Sequence, residues 1–391
     1  MNKILDFEEM NKLLSSLKNI KKNKPIGFTN FGYSIDHYSS GHGKNHVIIT
    51  GGTHGAELIS NIFVIRFMEK LSRGDISVDT DLYTLDFIPF VNPEGTVIVT
   101  TAIRSLISSD MSDDVLQTYL LTFYRNSCIE GDYACKYDDK DFKLQEWMFR
   151  YSSPSDINGE LGKSVSNLFK KYNLPKGCMI NWSSNGRGVD LNSNIEFSSF
   201  INRVENGEDI FADLHLNTIR RNKPGPVGCP YYDNPGEIEP ENKALMNFYS
   251  NIKDNYNLIG SFIYHSCGNI VYYLSSTEEE NPWKKDFGKE DIDKNYLVAS
   301  KYAEVCGYKL NGMDIYTTMD SKLKTLFPVS LLIELGSVRG HPLAQFMDFD
   351  LPGSDEDFKY IYSKIIEDNT KALVKTIDLM LDVSRGEYEV S

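Results

Sequence analysis

His54 and Glu57 stand three residues apart in Gly51-Gly52-Thr53-His54-Gly55-Ala56-Glu57. An imidazole and a carboxylate at that spacing can turn toward one point and hold a metal ion. The isolated pair has a plainer reading, an acid in the first turn of a helix, where the helix dipole favours it. No His-Glu-x-x-His motif occurs, so a third ligand has to come from a distant segment. The candidate is His215, which closes the apolar run Ile210-Phe211-Ala212-Asp213-Leu214-His215. A histidine at a strand end can equally be a hydrogen-bonded structural residue. Two histidines and one carboxylate leave a position open for water, which separates catalytic from structural zinc.

Two further segments carry groups that such a centre needs. In Asn185-Gly186-Arg187-Gly188-Val189-Asp190-Leu191-Asn192-Ser193-Asn194, Asp190 can accept a hydrogen bond from the far nitrogen of a ligand histidine and so orient the ring. Arg187 and Asn192 can hold a substrate carbonyl or carboxylate. The plainer reading is a polar turn stabilised by its Asn and Asp side chains. In Leu332-Ile333-Glu334-Leu335-Gly336, a carboxylate closes an apolar strand, where burial is costly without a partner or a task. As general base, Glu334 would take a proton from zinc-activated water and pass it to the leaving amine. The alternative is an ion pair, for example with Arg339.

The elements that must position these groups can be read from apolar spacing. Residues 1–25 hold a short helix and a Lys-rich connection, and 27–38 read as edge strands around turns. His46 to Thr50 is a buried strand, and Glu57 to Leu71 has helical spacing. Leu82 to Val91 is a second strand, closed by Asn92-Pro93-Glu94-Gly95 as a turn. The stretch 101–181, with helical segments at 115–124 and 162–172, reads as a long insertion or lid over the site rather than a separate domain. Ile210 to Leu216 is a strand, 241–256 a helix, 275–295 a charged exposed segment, 331–333 a buried strand and 355–383 a long final helix. The expected organisation is one domain over 1–391. His265, His341, Cys267 and Trp182 are read as packing or surface residues, with a pocket-lining role as the alternative.

With 391 residues, 41% of them apolar and 12% aromatic, the chain can bury a large core. A net charge of -14 argues against nucleic acid, whose phosphates require a Lys/Arg surplus. No run approaches the roughly 20 apolar residues that span a bilayer. Met1 to Met10 carries acids early and lacks the apolar stretch of a signal peptide. The six cysteines are scattered, with no Cys-x-x-Cys, and are read as reduced thiols. These features predict a cytoplasmic protein with no membrane or nucleic-acid partner. Oligomeric state is not legible.

Taken in order, His54-x-x-Glu57, Asp190-Leu191-Asn192-Ser193-Asn194, His215 and Glu334 resemble the zinc carboxypeptidases of the carboxypeptidase A type. Gly27-x-Thr29-x-x-Gly32 and Asn92-Pro93-Glu94-Gly95 add to the resemblance, which runs from about 25 to about 380 apart from 101–181. It implies a three-layer α/β/α sandwich around a mixed, mostly parallel twisted sheet of about eight strands. The site then lies at strand C-terminal ends, as in open α/β sheets generally. It also implies one zinc ion on His54, Glu57 and His215, with Asp190 behind His54 and Glu334 as base. Arg187 would polarise the scissile carbonyl, and Asn192 would bind a terminal carboxylate. Tyr316, in Ile315-Tyr316, would cover the bound substrate.

One position departs from the pattern. Ser193 stands where the family carries an arginine that forks onto the substrate's terminal carboxylate. Arg220, Arg221 or Arg339 could supply that charge, or the substrate carries no carboxylate there. The activity implied is zinc-dependent hydrolysis of a peptide or amide bond, most simply by a metallocarboxypeptidase. The same segments also resemble the aspartoacylase and succinylglutamate desuccinylase group, which implies an acylated amino acid as substrate. A cell-wall γ-D-glutamyl-diamino acid peptidase and a non-catalytic binding protein on the same scaffold are the further readings.

Overall fold

A computed structural model describes residues 6–107, 153–172, 179, 182–194, 237–266, 268–275, 289–313, 323, 329–336 and 356–388. Among them, an eight-stranded sheet runs in the order β1 (Lys21–Lys22), β4 (Tyr38–Gly41), β6 (Tyr83–Ile88), β5 (Asn45–Thr50), β7 (Asn257–His265), β10 (Ser330–Glu334), β8 (Ile270–Leu274) and β9 (Lys309–Met313). A separate two-stranded ribbon pairs β2 (Gly27–Phe28) with β3 (Ser34–Ile35). The four central strands β6, β5, β7 and β10 are mutually parallel. Antiparallel pairs join β1 to β4, β4 to β6 and β10 to β8, which makes the sheet mixed.

All six residues of β5 are buried, as expected of a parallel strand covered on both faces. Successive side chains of a strand point to opposite faces. Val47 and Ile49 accordingly join one core with α2 (Leu58–Arg73), α6 (Lys289–Cys306) and α7 (Glu356–Arg385), through Phe63, Phe67, Val298, Tyr302, Leu373 and Ile377. Ile48 joins the opposite core with Leu245, Tyr249 and Ile252 of α5 (Pro240–Asn255). Helices therefore flank both faces, and the α/β/α layering implied by the sequence is present. No helix among the described residues is long and apolar enough to cross a membrane. Cys306, the cysteine within the described residues, is an unpaired buried thiol.

The remaining elements are α1 (Phe7–Ser16), α3 (Pro93–Ile107) and α4 (Gly159–Tyr172). Asn92-Pro93-Glu94-Gly95 does more than close β6 as a turn, because Pro93 is the first residue of α3. Proline suits a first helical position, where no backbone N–H is needed. The Asn92 carboxamide oxygen accepts the Gly95 N–H at 2.8 Å, which satisfies one of the exposed donors of a helix start. Helix α3 then runs to Ile107, into the stretch read as an insertion. Strands β7, β8 and β9 were not foreseen, and the expected elements at 115–124 and 210–216 lie outside the described residues.

Asp86, 2% exposed in the middle of β6, is clamped by two histidines. It lies 2.8 Å from His37 Nε2 and 2.6 Å from His46 Nδ1. Burial opposes its ionisation, but the bonds from His37 and His46 prevail and hold its pKa below the ordinary carboxylate value. A depressed folded-state pKa contributes stability above the unfolded value and loses it as pH falls through the folded one. Asp86→Ala is expected to cost about 1–3 kcal/mol of unfolding free energy near pH 7, the penalty for stranding buried donors. In urea titrations the gap between variant and wild type should shrink as pH falls below the ordinary carboxylate range. A gap independent of pH would contradict this assignment.

Candidate metal centre

The centre is built where β5 ends and α2 begins. Gly51 and Gly52 follow the strand, and Gly52 has φ 72°, a region that favours glycine. A Cβ on Gly52 would also lie 1.9 Å from Asn61 Nδ2, so no side chain fits. Asn61 itself is held by the Pro89 carbonyl at 2.7 Å. The backbones of Val91 and Asn92 donate to the carbonyls of Gly51 and Gly52 at 3.0 and 2.9 Å, stitching this turn to the end of β6. Glu57 is the residue before α2. The Ser60 hydroxyl donates to the Glu57 carbonyl at 2.6 Å and accepts from Gly52 N at 2.9 Å.

This geometry brings His54, Glu57 and His265 to one point. One ligand atom from each lies within 4.8 Å of the others. Glu57 Oε1 is 2.7 Å from His54 Nδ1, and Oε2 is 2.9 Å from His265 Nδ1. Oε2 also accepts the Ser266 backbone N–H at 3.2 Å. On the far side of the ring, His54 Nε2 lies 3.2 Å from Asp190 Oδ1. Asp190 therefore directs Nδ1 toward the centre, the arrangement that outer carboxylates impose on ligand histidines. Burial would pull the His54 pKa down, but the charge of Glu57 and the bonds to Asp190 and Glu57 outweigh it, and the pKa is raised. Burial likewise opposes ionisation of Glu57, and the adjacent His54 and His265 lower its pKa in spite of it. Two imidazoles with one carboxylate match the donor set of catalytic zinc.

Glu334 occupies the last position of β10, in parallel register with His265 on β7 and antiparallel to Ile270 on β8. The Leu335 N–H donates to the His265 carbonyl at 2.9 Å, so the two strand ends are locked side by side. The expected base and His265 thereby stand at the C-terminal ends of two adjacent parallel strands.

The turn carrying Asp190 is held from below. Asn185, fully buried, accepts the Arg187 and Val189 N–H groups on Oδ1 at 3.0 and 3.1 Å. Its amide donates to Glu239 at 2.9 Å and Glu241 at 3.3 Å. The Trp182 indole donates to the Asn185 carbonyl at 3.0 Å, and its ring stacks on Phe169 of α4, so Trp182 is a packing residue. Glu94, from the start of α3, accepts the Phe31 and Gly186 N–H groups at 3.0 and 2.8 Å. Burial raises the pKa of Glu94, Glu239 and Glu241. The Arg187 guanidinium meets the buried Glu239 at 3.2 Å and the more exposed Glu237 at 3.5 Å.

Of the residues the sequence singles out, His54, Glu57 and Asp190 are in direct contact. Asn192 and Ser193 follow Asp190 and bond to it, Arg187 sits in the preceding part of the same segment, and Glu334 ends the strand beside that of His265. His215 and Tyr316 lie outside the described residues. The sequence alone offers His265 as a packing or surface residue, with pocket lining as the alternative. Its signal in the sequence is the run Leu258-Ile259-Gly260-Ser261-Phe262-Ile263-Tyr264, interrupted at Gly260 and Ser261 but closing on a histidine, a weaker form of the pattern that singles out Glu334.

A family model described as zinc carboxypeptidase matches residues 19–333, ending one residue before Glu334. No curated protein matches the chain. Among solved structures, bovine thrombin-activatable fibrinolysis inhibitor, in complex with a tick carboxypeptidase inhibitor, superposes with a TM-score of 0.54 at 15% identity, covering 96% of this chain and 94% of that one. A second structure of thrombin-activatable fibrinolysis inhibitor gives 0.52 at 15% identity, covering 97% and 72%. At that identity the likeness speaks for the fold.

Proposed function

Because this chain belongs to the zinc carboxypeptidase family, we propose that it cleaves a peptide or amide bond using one zinc ion held by His54, Glu57 and His265. The observation that carries the ligand set is the convergence of the two Nδ1 atoms on the two oxygens of Glu57. Among the described residues His265 completes the donor set; His215, which the sequence alone puts forward, lies outside them. When bound, zinc supplies a Lewis acid for the substrate carbonyl and makes water acidic enough to lose a proton near neutral pH. Glu334, in register with His265, would serve as the base that holds the proton lost by water and passes it to the leaving amine. Asp190 keeps the His54 ring in one tautomer and orientation. Asn192 holds the polar end of the substrate, and Tyr316 covers it, as the resemblance implies. Arg187, to which the resemblance gives the scissile carbonyl, pairs with Glu237 and Glu239 in the turn beneath.

Hydrolysis of N-acylated dipeptides is expected to stop on chelation and to return with zinc. Turnover indifferent to chelator would contradict the proposal.

One observation favours a substrate without a free carboxylate beyond the metal. The Ser193 hydroxyl donates to Asp190 at 2.7 Å and the residue is 1% exposed, so it offers no charge to a chain terminus. An N-acyl dipeptide amide is then expected to be cleaved about as well as the free acid. Strong preference for the free acid would instead place the exopeptidase's missing cation elsewhere, with Arg220, Arg221 and Arg339 as the residues to replace.

A further inference from the structure

We propose that Ser193 is a positioning residue for the metal centre, acting on His54 through Asp190. The inference rests on the zinc reading above. Asp190 is 4% exposed, and its two carboxylate oxygens have different duties. Oδ1 faces His54 Nε2 at 3.2 Å and accepts the Asn192 backbone N–H at 2.9 Å. Oδ2 accepts the Ser193 hydroxyl at 2.7 Å. The terminal torsion of an aspartate is broad and nearly two-fold, so a bond to one oxygen sets the carboxylate plane less firmly than bonds to both. The Ser193 bond pins the second oxygen and thereby fixes the plane in which the first meets the imidazole.

Ser193 is itself anchored. Its backbone N–H donates to the Asp190 carbonyl at 3.1 Å. The next residue, Asn194, is fixed to the chain before α5, accepting the Glu239 N–H at 2.7 Å and donating to the Glu237 carbonyl at 2.8 Å. The hydroxyl therefore sits on a rigid turn and has a geometric consequence at His54 Nδ1, two links away. This gives the residue a task on the protein side of the metal, at a position where a substrate-facing side chain was the expectation.

Losing a direct outer partner of a ligand histidine costs roughly 10–100-fold in metal affinity, so Ser193→Ala, one link further out, is expected to cost about 3–10-fold. The test is a zinc-affinity cycle on the full chain, by competition with a chromogenic chelator, for wild type, S193A, D190N and D190N/S193A, with melting of each metal-free protein measured alongside. The expected result is weaker zinc binding in S193A and no further loss when S193A is added to D190N. Unchanged affinity in S193A, or the same loss in both backgrounds, overturns the inference while leaving the zinc reading intact. A wild-type protein that takes up no zinc overturns the zinc reading, and this inference with it.

Discussion

Replacing His265 with alanine is expected to abolish stoichiometric zinc binding and, with it, hydrolysis. The variant keeps His54 and Glu57 but removes the imidazole that faces Glu57 Oε2 at 2.9 Å. Two protein donors in place of three do not make a catalytic zinc site. The loss in affinity should exceed the roughly 10–100-fold associated with outer-sphere partners. His215→Ala is the paired control, and it is expected to bind zinc and turn over substrate as wild type does. Metal analysis after dialysis reads both variants directly. Zinc retained by H265A and lost by H215A would return the third ligand to the residue that the sequence alone puts forward. Because His265 is only 2% exposed, melting of the metal-free variants separates a lost ligand from a damaged core.

Glu334→Gln is expected to separate chemistry from metal binding. The amide keeps the size of the side chain but cannot accept the proton from water. A positioned general base contributes typically 10²–10⁴-fold, so kcat should fall by about that factor with the zinc content unchanged. Steady-state rates with metal analysis on the same samples provide the check. A loss of zinc in E334Q would recast Glu334 as a ligand, and near-wild-type kcat would remove it from the reaction.

The parts of the site legible in the sequence are those fixed locally. His54 and Glu57 lie in one strand-to-helix connection, where glycines and the approaching helix leave few alternatives. Asp190 was legible because its chemistry, a carboxylate in a polar turn, complements a ligand histidine. The distance of 136 residues between them is closed by the fold. Glu334 stands out in the sequence because a carboxylate at the end of an apolar strand is costly without a task, and the fold sets it in register with His265.

His265 was not legible for two physical reasons. Its strand carries Gly260 and Ser261 in the middle, which break the apolar run. Both are explained only by the folded sheet: the Ser261 hydroxyl pairs with that of Ser330 at 2.7 Å, and a Cβ at Gly260 would press on Met380 and the Val329 carbonyl. The second reason is strand order. His265 reaches Glu57 across 208 residues because β7 sits between β5 and β10. Chain order does not reveal that neighbourhood, and Ile210 to His215 presents much the same pattern of apolar residues ending in histidine. The Asn92-Pro93 helix start was misread for a related reason, since a polar residue followed by proline signals both a turn and a first helical residue.

The central claim, that His54, Glu57 and His265 are the protein's zinc ligands, is tested most directly by anomalous scattering at the zinc edge from crystals of the zinc-loaded protein. The account predicts a single peak about 2.0–2.2 Å from Nδ1 of His54, Nδ1 of His265 and a carboxylate oxygen of Glu57, the bond lengths zinc makes to these donors. A peak bound by His54 and Glu57 with another residue in the place of His265, or a peak elsewhere in the molecule, would contradict it.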